Sequence, residues 1–276
     1  MNHGLRRNRS LRLREEAEIA VFSEDQLEEL QGIFISIEDR GQALIKRLLL
    51  HGFRADAASE YATHGLARRI SAITYSTARV FEEMPPEMEG IPSSEQRSET
   101  TAHLQAVAFN VYGCFDNLAR IWVAEHDVRK ANGNELSRRE IGLVAKCKSV
   151  RASLPNILKE QIVALDPWFS HLEDFRHATA HRVPLYIPPF MLDPKDEEEY
   201  RKLDRDAGEV LKRREFEEYH RLTAERDALR HFRPMIATSM NEIANALFHP
   251  QLMADFATVE LWVGLILDHI PNFDGE

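Results

Sequence analysis

Leu104, Ala108, Val111, Phe115, Leu118 and Trp122 recur at steps of four and three, and Val107, Cys114 and Ile121 run beside them as a second stripe. Apolar positions on two adjoining stripes fit an α-helix covered by partners on most of its sides. The pattern predicts a central helix from about Ser98 to His126 and leaves a narrow polar strip on it: Asn110, Gly113, Asp116, Asn117 and Arg120. Ser23 and Gln26 have the spacing of a capping box and open an earlier helix, on which Leu27, Leu30, Ile33, Phe34 and Ile37 run toward Leu50. A second helix is expected from about Ala57 to Phe81, before a loop punctuated by Pro85, Pro86, Gly90 and Pro92. After the Asn132-Gly133-Asn134 break, the expectation is a short helix from about Ser137 to Val150 and a new segment at Leu154-Pro155. The last helix is expected from about Gln251 to His269, with Met253, Phe256, Val259, Trp262, Val263 and Ile266 as its apolar face.

Between these lies a helix with sharp ends. Asp166 has N-cap character, Pro167 suits the first helical position, and Pro184 drives Val183 out of helical geometry. Trp168, Leu172, Phe175 and Thr179 recur at steps of four, three and four, so they are the expected buried face, and the helix stops on Arg176, His177 and His181. His171 is expected at the solvated surface. Beyond the helix, residues 183–189 and 232–237 are apolar and proline-bounded, and their pairing would make a short ribbon at a sheet edge. Residues 194–231 carry dense charges of both signs, which favours a solvated helical arm in the form of a hairpin.

These elements make the expected fold class all-α: a helical bundle with a short two-stranded ribbon and a charged helical arm. The organisation read from the chain is a basic arm over residues 1–22, a bundle core over 23–192, the charged insert over 193–232, and a C-terminal helix over 233–276 packing on the bundle. At 276 residues and 43% hydrophobic, the chain has enough apolar side chains for a sizeable core. A formal net charge of −10 disfavours a uniformly basic nucleic-acid binder and leaves room for a local basic patch. No run is read as approaching the ~20 apolar residues of a bilayer span, and the arginine-rich start lacks the apolar core of a secretory signal, so no membrane partner and a cytoplasmic location are expected. Cys114 and Cys147 have neither disulfide numbers nor metal spacing. No phosphate loop, nucleophile elbow or Cys-x-x-Cys pair is present.

That leaves Arg176-His177-Ala178-Thr179-Ala180-His181, an arginine and a histidine separated by four residues near a helix end in a helical chain. This segment resembles the motif of the HEPN (higher eukaryotes and prokaryotes nucleotide-binding) superfamily, the likeness covering roughly Ser98 to Arg182. In this chain His177 stands where asparagine or aspartate is typical of the family. The resemblance implies a metal-independent endoribonuclease or RNA-processing factor, with RNA as partner and a homodimer whose two arginine–histidine pairs meet in one cleft. It assigns Arg176 to the scissile phosphate and His181 to proton transfer, as the catalytic residues. From their positions beside that pair and on the polar strip, His177, Asp116, Asn117 and Arg120 are the expected substrate-binding or supporting residues. The resemblance requires no cofactor and no metal ligand. Chemically, guanidinium offers two parallel donors to phosphate oxygens, and imidazole exchanges protons near neutrality.

Other readings stay open beside it. Arg176 would serve structure alone if it paired with Glu173 or Asp174 and His181 merely capped the helix. Asp116 and Arg120 have i,i+4 spacing and would form an ordinary exposed pair. Asp174-x-x-His177, Glu217-x-x-His220 and the His177/His181 spacing admit a helical-bundle metalloprotein. A non-enzymatic HEPN-like module would instead engage a protein partner through the charged arm.

Overall fold

The computed structural model describes residues 21–237 and 243–273, apart from the side chains of His181 and residues 243–245. Most of the expected basic arm therefore lies outside the described residues. The fold is an all-α bundle with one short antiparallel ribbon, as the periodicity predicts.

Helix α1 (Glu24–Leu49) begins at the expected capping box, with the Ser23 side chain accepting from the Gln26 amide and Gln26 returning to the Ser23 amide. Helix α2 (Asp56–Glu60) runs into a π-helical turn (Tyr61–Leu66) and then into α3 (Ala67–Glu83), so the expected second helix forms with a bulge inside it. Helix α4 (Ser94–His126) is the long central one. It starts before Ser98 because Ser93 and Gln96 form a second capping box, a signal the apolar periodicity passes over. Its C-cap, Asp127, sits at φ 44°, a left-handed conformation that ends the helix.

The expected helix from Ser137 to Val150 does not form. Residues 128–147 make turns and one bridge between Arg129 and Glu135, and only Lys148–Ser153 coils into α5. Leu143, Cys147 and Val150 still reach the core, so the apolar spacing served burial without a helix. Helix α6 (Asn156–Ala164) precedes α7 (Asp166–His181). Asp166 is helical rather than the N-cap; Arg151 holds its carboxylate by two hydrogen bonds of 2.5 and 3.1 Å. The buried face of α7 is also turned by one position: Phe169, Leu172, Phe175 and Ala178 are buried, while Trp168 and Thr179 are half-buried.

Tyr186 exchanges backbone hydrogen bonds of 3.0 and 2.9 Å with Ala237, so the two apolar segments do meet as expected. The regular ribbon, however, pairs β1 (Met235–Ala237) with β2 (Ile243–Leu247), a strand the sequence reading passed over. The charged stretch forms a helical hairpin, α8 (Glu197–Lys212) and α9 (Phe216–Ala228), closed on Ala207, Val210 and Leu222. Its charges largely neutralise one another: Arg201 pairs with Glu197, Arg221 with Glu218 and Glu225, and Arg226 with Asp204 and Asp227.

Helix α10 (Phe248–Asp268) closes the bundle. It is long and apolar enough to cross a membrane by length and composition, against the expectation that no run would be, and half of its most apolar window is buried inside the bundle. Trp262, Phe256, Val259 and Ile266 supply that buried face. Helix α10 runs parallel to α1, tied by Arg40–Glu260 and Arg47–Asp268 ion pairs. Helix α4 contacts α3, α7, α10 and the π turn, and this leaves its polar strip between α3, α7 and the turn.

Candidate functional site

Three arginines border the polar strip on α4. Side chains on a helix lean toward its N-terminus, so Asp116 leans over the turn that contains Tyr112 and Gly113. Arg176 of α7 lies over the Tyr112 ring, its guanidinium carbon 4.8 Å from the centroid. Arg69 of α3 crosses Gly113. A Cβ at Gly113 would stand 2.4 Å from the Arg69 guanidinium carbon, so only glycine admits the guanidinium there. A mid-helix glycine costs about 1 kcal/mol relative to alanine, and at Gly113 it leaves the seat in which Arg69 lies. Arg69 also donates to Asn110 Oδ1 at 3.2 Å.

One to two turns further along α4, Arg120 stacks over Tyr61, its guanidinium carbon 5.3 Å from the ring centroid. Tyr61 opens the π turn, and π turns inside α-helices recur at functional sites. The turn approaches α4 closely: a Cβ at Gly65 would fall 2.1 Å from Asn117 Nδ2. Asn117, 7% exposed, is wedged into that crossing, which makes it a packing residue at the edge of the strip.

Three guanidiniums thus border one carboxylate. Among the described residues, Arg69, Arg120 and Arg176 form no ion pair, and Asp116 takes part in no hydrogen bond or ion pair. The exposed i,i+4 pairing of Asp116 with Arg120 is not made, and neither is the pairing of Arg176 with Glu173 or Asp174. Glu173 instead accepts from Lys146 at 2.9 Å and lies 4.0 Å from His177 Nε2. Burial pushes the Asp116 carboxyl above the usual carboxylate range, and the nearby charges of Arg176, Arg120, Arg69 and Lys146 oppose that push without overcoming it. The Tyr112 hydroxyl is also raised, first by burial and then by the charges of Asp116 and Glu173.

The structure brings Arg176, Asp116 and Arg120 to one strip, with His177 one position along α7 from Arg176 and its side chain 43% exposed. His181 is the last residue of α7, and its side chain lies outside the described residues. His171 is half-buried against Phe175, ring centroids 4.1 Å apart, rather than solvated, and its Nε2 has no hydrogen-bond partner among the described residues. Sequence reasoning passed over Arg69 and Tyr61. Gly113 was the available signal, since a glycine inside a strongly periodic helix asks for a close neighbour. No group of three or more His, Cys, Asp or Glu side chains among the described residues could hold a metal ion. Comparison with protein-family models, curated proteins and solved structures yields no match for the chain.

Proposed function

We propose that this chain is a HEPN-like protein that cleaves or processes RNA without a metal, through Arg176 and His181. The observation that carries this reading is the arginine cluster. Arg176 is held on Tyr112 and makes no ion pair among the described residues, in a strip where it, Arg69 and Arg120 outnumber the one carboxylate beside them, Asp116. In a chain of net charge −10, a local concentration of unpaired guanidiniums suits an anionic ligand better than it suits packing.

In the reaction, Arg176 donates to the non-bridging oxygens of the scissile phosphodiester and stabilises the charge that grows on them. The ribose 2′-oxygen attacks phosphorus as its proton passes to a base, and the bond to the 5′-oxygen breaks as that oxygen takes a proton from an acid. The products are a 2′,3′-cyclic phosphate and a 5′-hydroxyl. His181, the last residue of α7, is assigned the acid. One histidine per chain fills one role, so a homodimer that joins two copies supplies the base as well.

Two measurements test this. Incubation with single-stranded RNA in excess chelator is expected to give cyclic-phosphate ends at an undiminished rate, and a loss of cleavage restored by added metal would remove the reading. Light scattering at micromolar concentration is expected to give twice the 31.8 kDa chain mass, and a monomer at every concentration would count against a shared site.

A further inference from the structure

We infer that Arg69 and Arg120 extend the Arg176 site into a track for backbone phosphates of single-stranded RNA, with Asp116 as the internal anion that occupies the track when RNA is absent. This rests on the reading of Arg176 as a phosphate ligand and adds residues from the other side of α4. Three independent features build the track. Gly113 leaves room for the Arg69 guanidinium to lie across α4, and Asn110 fixes one of its nitrogens at 3.2 Å. Tyr61, placed by the π turn, holds Arg120 from beneath, as Tyr112 holds Arg176. A guanidinium held over a ring face uses no hydrogen-bond donor on that contact, so its N–H groups are left for phosphate oxygens.

Asp116 leans into the turn between the Arg69 and Arg176 seats, and it ion-pairs with neither among the described residues. The groups facing it are Arg176, Arg120, Arg69 and Lys146 as cations, with Tyr112 and Cys147 neutral beside them. An arriving phosphate meets the arginines but also a carboxylate. Burial already makes Asp116 readier than most carboxyls to hold a proton, so binding draws one onto it, and the neutral acid then donates to the ligand. Binding therefore weakens as pH rises through the range in which Asp116 loses its proton.

The test uses a fluorescent RNA octamer carrying 2′-O-methyl groups throughout, which cannot be cleaved because the attacking hydroxyl is blocked. Anisotropy is read over a range of salt and pH. Arg69→Gln and Arg120→Gln are each expected to weaken binding by about tenfold or more and to reduce the slope of log K against log salt by about 0.7, one phosphate contact apiece. Arg69→Lys keeps the charge and loses the fork, so it should retain the slope and bind with intermediate affinity. Arg68→Gln changes an exposed neighbour that contacts His64 and should bind like the wild type. Asp116→Asn should bind more tightly at neutral pH and lose the pH dependence. Unchanged binding by Arg69→Gln and Arg120→Gln, or no binding by the wild type, overturns the track. If Arg176→Ala alone weakens binding, the phosphate role of Arg176 stands without the track. If binding follows Arg69 and Arg120 while natural RNA is never cleaved, the track stands and the nuclease reading falls.

Discussion

Arg176→Ala and His181→Ala are each expected to lower RNA cleavage by ~10²–10⁴-fold, the range for losing a positioned acid, base or charge stabiliser. Folding should hardly change. Arg176 is half-buried and contributes the stacking on Tyr112, for which ~0.5–2 kcal/mol is the expected scale. His181 closes α7 at its last helical position, where truncation typically costs about 1 kcal/mol or less. Cleavage rates on one RNA, measured beside thermal melts of all three proteins, separate chemistry from stability. If both variants cleave like the wild type, or the wild type cleaves nothing, Arg176 and His181 are not catalytic.

The bundle was legible because its helices carry strong apolar periods and clear punctuation. Ser23 with Gln26, Pro184 and the stripes from Leu104 to Trp122 each point to one structure, and local and tertiary preferences agree there. Misreadings occur where burial is achieved without regular geometry. Leu143, Cys147 and Val150 are buried at helix-like spacing, yet most of residues 137–147 are turns, because tertiary contacts can bury such residues in irregular backbone. The strand Ile243–Leu247 directly precedes α10 with no break residue between them, so its apolar run reads as part of the approach to that helix.

The site was only half legible. A strip such as Asn110, Asp116 and Arg120 can be read from one helix, since residues three and four apart share a face. What the strip faces cannot. Arg69 sits 44 positions before Gly113 and meets it only because α3 packs on α4, and Tyr61 is turned toward Arg120 by a π bulge that no apolar period announces. Ion-pair guesses from spacing failed for the same reason. Glu173 lies three positions before Arg176, yet it is engaged by Lys146 from the preceding loop, a contact across 27 residues.

Asp255→Asn is expected to stabilise the protein at pH 7 and to expose an acid sensitivity that the wild type conceals. Asp255 is buried on α10, and one of its oxygens accepts from Trp168 Nε1 at 2.8 Å and Gln251 Nε2 at 2.7 Å. Burial pushes its pKa from 3.8 up to about 6, and the two hydrogen bonds offset only part of the shift. A carboxyl raised in the fold favours the native state fully below its unfolded pKa, and that contribution is lost as pH rises through about 6, roughly 3 kcal/mol in all. His249 acts in the opposite sense. Its Nε2 donates to the Met84 carbonyl at 2.7 Å, and its buried Nδ1 has no partner among the described residues, so a proton added there would be a charge without an acceptor. Burial lowers its pKa from 6.5 to about 4, and its contribution, present above 6.5, is lost as pH falls through about 4, again roughly 3 kcal/mol. Between pH 6.5 and 4 the wild type therefore gains at Asp255 much of what it gives up at His249. Asparagine keeps the accepting oxygen for Trp168 and Gln251 and never ionises, so Asp255→Asn should be more stable at pH 7 by ~1–3 kcal/mol. That advantage should then vanish on acidification, because only the His249 loss remains. Urea unfolding of both proteins from pH 4 to pH 7 measures the difference between the curves, which cancels the surface carboxylates common to both. A difference that stays constant across that window would mean that Asp255 ionises in the native protein as it does in the unfolded chain.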